Sequence, residues 1–265
     1  MLPQWDPRRL QQKIPFNLAL VGGRKQGKST AVSDLVLRMR HKFDLIVAFI
    51  GSAACNPVIH QIMRESFDPR FFFSEWNLGL LQKMLQQQED LGPNKRSILV
   101  LVDDVILSGQ ASEQLCHLCM RGRHFGISLI MCAVSYTTLP KKCRRSLDAL
   151  LVYSLPMAGD MKVMTWEYAT RNSMAEHVLR NLNDHECLVL ETLQKQQQLF
   201  IWKADLLTLE RTSSSPGRGI SKTAPSSGSP SGRRTVRSQT GTGAPQNCTK
   251  SSVRVDETAV RTRVV

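Results

Sequence analysis

The chain has 265 residues, 42% of them hydrophobic, and a formal net charge of +13. That length and apolar content exclude a wholly disordered chain and allow one large domain or two small ones. Ten Lys/Arg against two Asp/Glu lie from residue 211 onward, so the last segment carries +8 of the charge and residues 1–210 carry +5. Both parts are basic, and a polyanionic partner fits them.

In chain order, residues 1–15 read as a short arm with Trp5 and several cations. Residues 16–21 are an apolar run that predicts a first strand. Gly22-Gly23-Arg24-Lys25-Gln26-Gly27-Lys28-Ser29-Thr30 follows and fits the phosphate-cradling pattern G-x-x-x-x-G-K-[ST]. Val32, Leu35, Val36 and Met39 then mark one face of a helix. Strand, loop and helix in this order give the motif its mechanism. Its glycines let backbone N–H groups point at a polyphosphate, Lys28 reaches the β and γ phosphates, and Ser29 can hold Mg²⁺. ATP and Mg²⁺ are the expected cofactors.

A second strand is predicted over 44–50 and is stopped by Gly51-Ser52. A short helix opens at Pro57, residues 70–73 read as a short strand, and Leu78, Leu81 and Leu85 mark a further helix ending near Gly92-Pro93. Ser97-Ile98-Leu99-Val100-Leu101-Val102-Asp103-Asp104 reads as a strand buried on both faces and tipped by two acids. Carboxylates at the carboxyl end of such a strand lie where open α/β sheets bind ligands. Asp103 is assigned to the metal and Asp104 to the general base. Taken alone, the two acids would also suit a helix cap or a turn.

Residues 112–121 predict a helix, 127–134 a strand, the stretch from Pro140 a short basic helix, and 147–153 another strand. Residues 160–182 read as helical, and 186–190 with 198–202 as two closing strands around a polar turn. Strands alternating with helices predict a mostly parallel sheet covered by helices on both faces. The span 16–210 is read as the folded ATPase domain. Residues 211–265, rich in Ser, Thr, Gly, Pro and Arg, are read as a disordered tail. A nucleic-acid arm, a nuclear address, a phosphorylated segment and a plain solvated tail are all open readings of it.

The seven cysteines are an odd number, and no stretch is long enough to span a bilayer. Reduced thiols in a compartment inside the cell are expected. Cys116-His117-Leu118-Cys119, with His124 nearby, lacks the second ligand pair of a zinc site, so it reads as buried thiols on a helix.

The middle of the chain resembles a known family. Arg121-Gly122-Arg123-His124-Phe125-Gly126-Ile127-Ser128 leads into the strand expected over 127–134. Leu139-Pro140 and the paired Arg144-Arg145 come after it. With the phosphate loop and the acid strand, this order is similar to the viral genome-packaging ATPases of the FtsK–HerA superfamily over residues 17–205. Such proteins occur in poxviruses, other large DNA viruses, virophages and Polinton-like elements. The resemblance implies a P-loop fold of the additional-strand, RecA-like type, with strand 127–134 between the phosphate-loop strand and the acid strand. It implies an ATP-hydrolysing motor that moves double-stranded DNA into preformed capsids as a homo-oligomeric ring, pentameric or hexameric, in contact with capsid proteins. The expected location is the host nucleus, a cytoplasmic virus factory or the virion, not the secretory route. ATP would bind between subunits, with Arg144 or Arg145 reaching the neighbour's γ-phosphate; contact with DNA phosphates is the other reading of these arginines. The position where the family usually places a polar sensor, often Gln, is Val134 here, and Ser135 could substitute. Ser146 stands where a polar amide is common. A helicase or nucleoside kinase, and a non-catalytic nucleotide-dependent DNA-binding or assembly module, are the alternative functions.

Overall fold

The computed structural model describes residues 2–51, 68–107, 109–168, 173–192 and 198–204, all within the compact unit Met1–Gly217. The helix expected from Pro57 and the tail from residue 211 lie outside the described residues, as do Cys55 and Cys248. The helices are α1 (Arg8–Gln11), α2 (Lys28–Met39), α3 (Leu78–Asp90), α4 (Gln110–Arg121), α5 (Lys141–Arg144), α6 (Ala158–Tyr168) and α7 (Ser173–Arg180). The strands are β1 (Asn17–Val21), β2 (Leu45–Ile50), β3 (Phe72–Phe73), β4 (Ile98–Asp103), β5 (Ile127–Ala133), β6 (Ala149–Val152), β7 (Glu186–Glu191) and β8 (Gln198–Lys203).

One eight-stranded sheet has the order β3-β2-β4-β5-β1-β6-β7-β8. From β3 to β6 every pairing is parallel; β7 and β8 close it antiparallel. Strand β5 sits between the phosphate-loop strand β1 and the acid strand β4, as the additional-strand type requires. The central strands are uniformly apolar because both faces are covered. Leu18 and Leu20 of β1 pack with Val32, Leu35, Val36 and Met39 of α2 on one face. Ala19 and Val21 pack with Leu81 of α3, Leu115 and Leu118 of α4 and Met164 of α6 on the other. Strand alternation sends neighbouring residues into separate cores, so both layers depend on the same register.

Three expectations become specific in the structure. The region expected to be helical over 160–182 holds α6 and α7, with residues 169–172 outside the described residues. The short strand expected over 70–73 is extended only at Phe72–Phe73, because Pro69–Phe71 forms a 3₁₀ turn capped by Asp68, which accepts from the Arg70 amide at 3.0 Å. The start of the chain, expected as a short arm, packs against the β8 edge. Trp5 is buried and donates to Glu191 at 2.6 Å, Arg9 pairs with the same carboxylate at 2.9 Å, and Gln4 bridges to Ile201. That carboxylate is itself buried, so the arm neutralises it where β7 meets β8.

Candidate nucleotide site

The turn after β1 is built by close approach. A Cβ at Gly22 would lie 2.5 Å from the Tyr153 Cβ, so only glycine lets the loop leave the sheet beside β6. Gly27 has a φ of 99° and Lys25 a φ of 62°, both left-handed, which winds successive amides toward the space above α2. Gly27 caps α2 without a side-chain hydrogen bond, so the first amides of that helix face outward as anion donors. The Lys28 ammonium donates to the Gly22 and Gly23 carbonyls, each at 2.7 Å. Burial lowers its pKa, partly opposed by Cys132, Asp103 and Asp104.

Strands β1, β5 and β4 are neighbours, so their carboxyl ends bring the loop and both acids together. The Asp103 carboxyl is raised above its usual range by burial, against the pull of Lys28; Asp104 raises it further, while hydrogen bonds from Cys132 and Ser29 oppose the rise. The Ser29 hydroxyl, at the start of α2, and the Asp103 carboxylate, at the end of β4, belong to the same end of the sheet. Two hard oxygen donors beside a phosphate loop suit Mg²⁺, with further places for water and phosphate oxygens. Asp104 has a φ of 52°, a left-handed backbone uncommon for a residue with a side chain. Gly51, at the end of β2, makes room for it: a side chain there would collide with the Asp104 carbonyl oxygen. In the sequence Gly51 reads only as a strand stop, and its real signal is the paired register of Ile50 with Asp103.

Beyond Asp104, a cavity of about 330 Å³ is lined by Val105, Ile106, Val134, Thr138 and Leu139. Val134 is 45% exposed and apolar, so it offers no hydrogen bond at the strand end. The polar groups come one residue later. The Ser135 and Thr137 hydroxyls are 3.0 Å apart, and Asp160 of α6 accepts from the Tyr136 amide, the Thr137 amide and the Thr137 hydroxyl at 3.2, 3.2 and 2.7 Å. Asp160 has no sequence signal beyond its place at a helix start.

The two candidate arginines differ sharply. The Arg144 side chain is 10% exposed and clasped by Glu167, with Nε 3.1 Å from Oε2 and Nη2 3.1 Å from Oε1. Its guanidinium lies 4.9 Å from the Tyr136 ring centre, Nη1 donates to the Leu139 carbonyl at 3.4 Å, and its own carbonyl accepts from the Tyr168 hydroxyl. Tyr136 in turn donates to Glu167 at 2.6 Å. Arg145, next in sequence, is exposed. Helix α6 thus holds the loop after β5 through Asp160 and the arginine segment through Glu167.

A phosphate loop after β1, two acids at the end of β4 and the strand β5 inserted between β1 and β4 define a P-loop NTPase of the additional-strand class. The model of the family described as poxvirus A32 protein matches residues 4–204, and the chain belongs to that family. The resemblance to viral packaging ATPases of the FtsK–HerA type is thereby borne out. No curated protein sequence matches the chain significantly. Among solved structures, the DNA-packaging ATPase B204 of Sulfolobus turreted icosahedral virus is 12% identical, with a TM-score of 0.51 over 70% of this chain and 97% of that one. The genome-packaging NTPase B204 of Sulfolobus turreted icosahedral virus 2, in complex with AMPPCP, is also 12% identical, with a TM-score of 0.51 over 74% and 98% of the two chains. EssC (ATPases 2 and 3) from Geobacillus thermodenitrificans is 14% identical, with a TM-score of 0.50 over 74% of this chain and 42% of that one. At these identities the likeness is one of fold.

Proposed function

We propose that this protein is an ATP-hydrolysing motor that drives double-stranded viral DNA into preformed capsids, working as a ring of identical subunits. The observation that carries the reading is the phosphate loop after β1, with the Lys28 ammonium held on the Gly22 and Gly23 carbonyls, at the same end of the sheet as Asp103 and an Asp104 in a left-handed backbone. Loop amides 22–30 bind the polyphosphate, and Lys28 turns from the Gly22 and Gly23 carbonyls to its β and γ oxygens. Ser29 and Asp103 would hold Mg²⁺, which neutralises polyphosphate charge when bound. Asp104 accepts a hydrogen bond from the attacking water and orients it in line with the γ-phosphorus. The Ser135 hydroxyl takes the polar part that Val134 cannot play.

Arg145 is the arginine that reaches a neighbour's γ-phosphate; its guanidinium is free to leave the surface and fork onto developing charge. Arg144 is a positioning residue, since withdrawing it would strip Glu167 of its buried partner. Basic surface and the tail after residue 211 grip DNA phosphates without reading bases, and capsid protein is the further partner. Steady-state ATP hydrolysis by the full chain, with duplex, single-stranded or no DNA, tests the reading. Turnover raised by duplex and abolished in Asp104→Asn is expected. Stimulation by single strands alone would favour a helicase, and nucleotide binding without turnover in any condition would overturn the motor.

A further inference from the structure

Sequence spacing puts Cys116 and Cys119 one turn apart on α4, and the fold brings a third thiol to them. Cys143, on α5, has its Sγ 3.9 Å from that of Cys116 although 27 positions separate them. Cys119 is buried against Met131, sulfur to sulfur at 3.7 Å, and Cys143 is buried too. Cys116 is the half-exposed member of the three. Among the described residues no three His, Cys, Asp or Glu side chains are grouped to hold a metal ion, so these sulfurs do not surround a cation site.

We propose that Cys116 and Cys143 are a modification site that closes reversibly into an intramolecular disulfide, tying α4 to α5 immediately before Arg144 and Arg145. A disulfide bond is about 2.05 Å long, so the sulfurs must approach by roughly 2 Å. The oxidant is a peroxide or a small disulfide arriving at Cys116. With hydrogen peroxide, the Cys116 sulfur attacks one oxygen, the O–O bond breaks, and a sulfenic acid and water result. The Cys143 sulfur then attacks the sulfenyl sulfur, the S–S bond forms, and hydroxide leaves to collect the Cys143 proton as water. Two thiols lose two electrons and two protons, and one peroxide becomes two waters. Interaction with the Cys119 and Cys116 sulfurs holds the Cys143 thiol below its usual range, which favours it as the attacking group. Burial and the nearby Cys143 push Cys116 up to about 11, so the first step is slow at neutral pH and accelerates toward alkaline pH.

The test uses the full chain, treated with hydrogen peroxide at pH 7 and pH 9, alkylated while denatured, digested and sequenced by tandem mass spectrometry. A Cys116–Cys143 cross-linked peptide lacking two hydrogens is expected, formed faster at pH 9 and lost on treatment with dithiothreitol. Cys116→Ser changes a half-exposed position and should keep the wild-type circular dichroism spectrum and melting temperature while failing to form the link. Alkylation of both Cys116 and Cys143 after oxidation would overturn the proposal, as would linkage of Cys143 to Cys119 or between two chains. The mapping needs no ATP turnover, so its outcome is independent of the motor reading.

Discussion

Replacing Glu167 with alanine is the sharpest probe of how α6 holds the arginine segment. Glu167 is 17% exposed and Arg144 10%, so the change leaves a guanidinium inside the fold with no countercharge. Breaking a buried ion pair from one side costs about 3–5 kcal/mol. The guanidinium keeps the Tyr136 ring face at 4.9 Å and the Leu139 carbonyl at 3.4 Å, while Tyr136 is left without its own acceptor. The lower end, about 3 kcal/mol, is therefore expected. For a folded unit of this size each kcal/mol shifts the melting temperature by about 2–4 °C, so a fall of about 6–12 °C follows. Urea unfolding followed by circular dichroism gives the free energy directly. The double variant Arg144→Met with Glu167→Leu removes both charges and should recover most of the loss, since a well-packed apolar pair often equals a buried salt bridge. A loss below about 1 kcal/mol for Glu167→Ala, or a double variant worse than the single, would refute the reasoning.

Arg145→Ala should leave the melting temperature unchanged and lower duplex-stimulated turnover by about 10³-fold or more, the scale of a missing arginine finger; mixing it with Lys28→Ala subunits should restore part of the activity if the arginine acts across the interface. Asp103 has a folded pKa raised above its unfolded value, so its ionisation costs stability at pH above the unfolded pKa. Asp103→Asn should therefore raise the melting temperature at pH 7, with a gain that shrinks as the pH falls through the folded pKa and then toward the unfolded one, even as ATP turnover is lost. A melting temperature lowered at pH 7 would contradict the burial assignment. Removing residues 211–265, which carry +8, should flatten the dependence of DNA affinity on salt by about 0.9 in log–log slope for each phosphate that the tail no longer neutralises, and should spare ATP binding; an unchanged slope would exclude the tail as a DNA arm.

The parts of this fold that follow from local pattern were legible in the sequence. The apolar run 98–102 reads as a strand covered on both faces, and the strand before and helix after Gly22 to Thr30 give that loop its meaning. Val32, Leu35, Val36 and Met39 are all buried as their spacing required. The two closing strands β7 and β8 are visible in the sequence, and their antiparallel pairing comes from the structure. What depends on contacts between distant positions was not legible. Nothing near Arg144 announces Glu167, and nothing near Ser135 announces Asp160, because both acids lie on a helix whose pairing is set only when α6 packs across the sheet. Gly51 looked like punctuation because its constraint comes from the Asp104 backbone on the neighbouring strand. The two arginines were equivalent in sequence, and only burial separates the clasped Arg144 from the exposed Arg145. Cys143 gave no sign of meeting Cys116, since the pairing spans β5 and the loop behind it.

The motor itself is tested most directly by translocation. Full-length protein is added to linear duplex DNA bearing a bound third strand, and release of that strand is followed in time. The account predicts release with ATP, none with a non-hydrolysable analogue, and none with Lys28→Ala. Duplex-stimulated hydrolysis that never releases the third strand would contradict it.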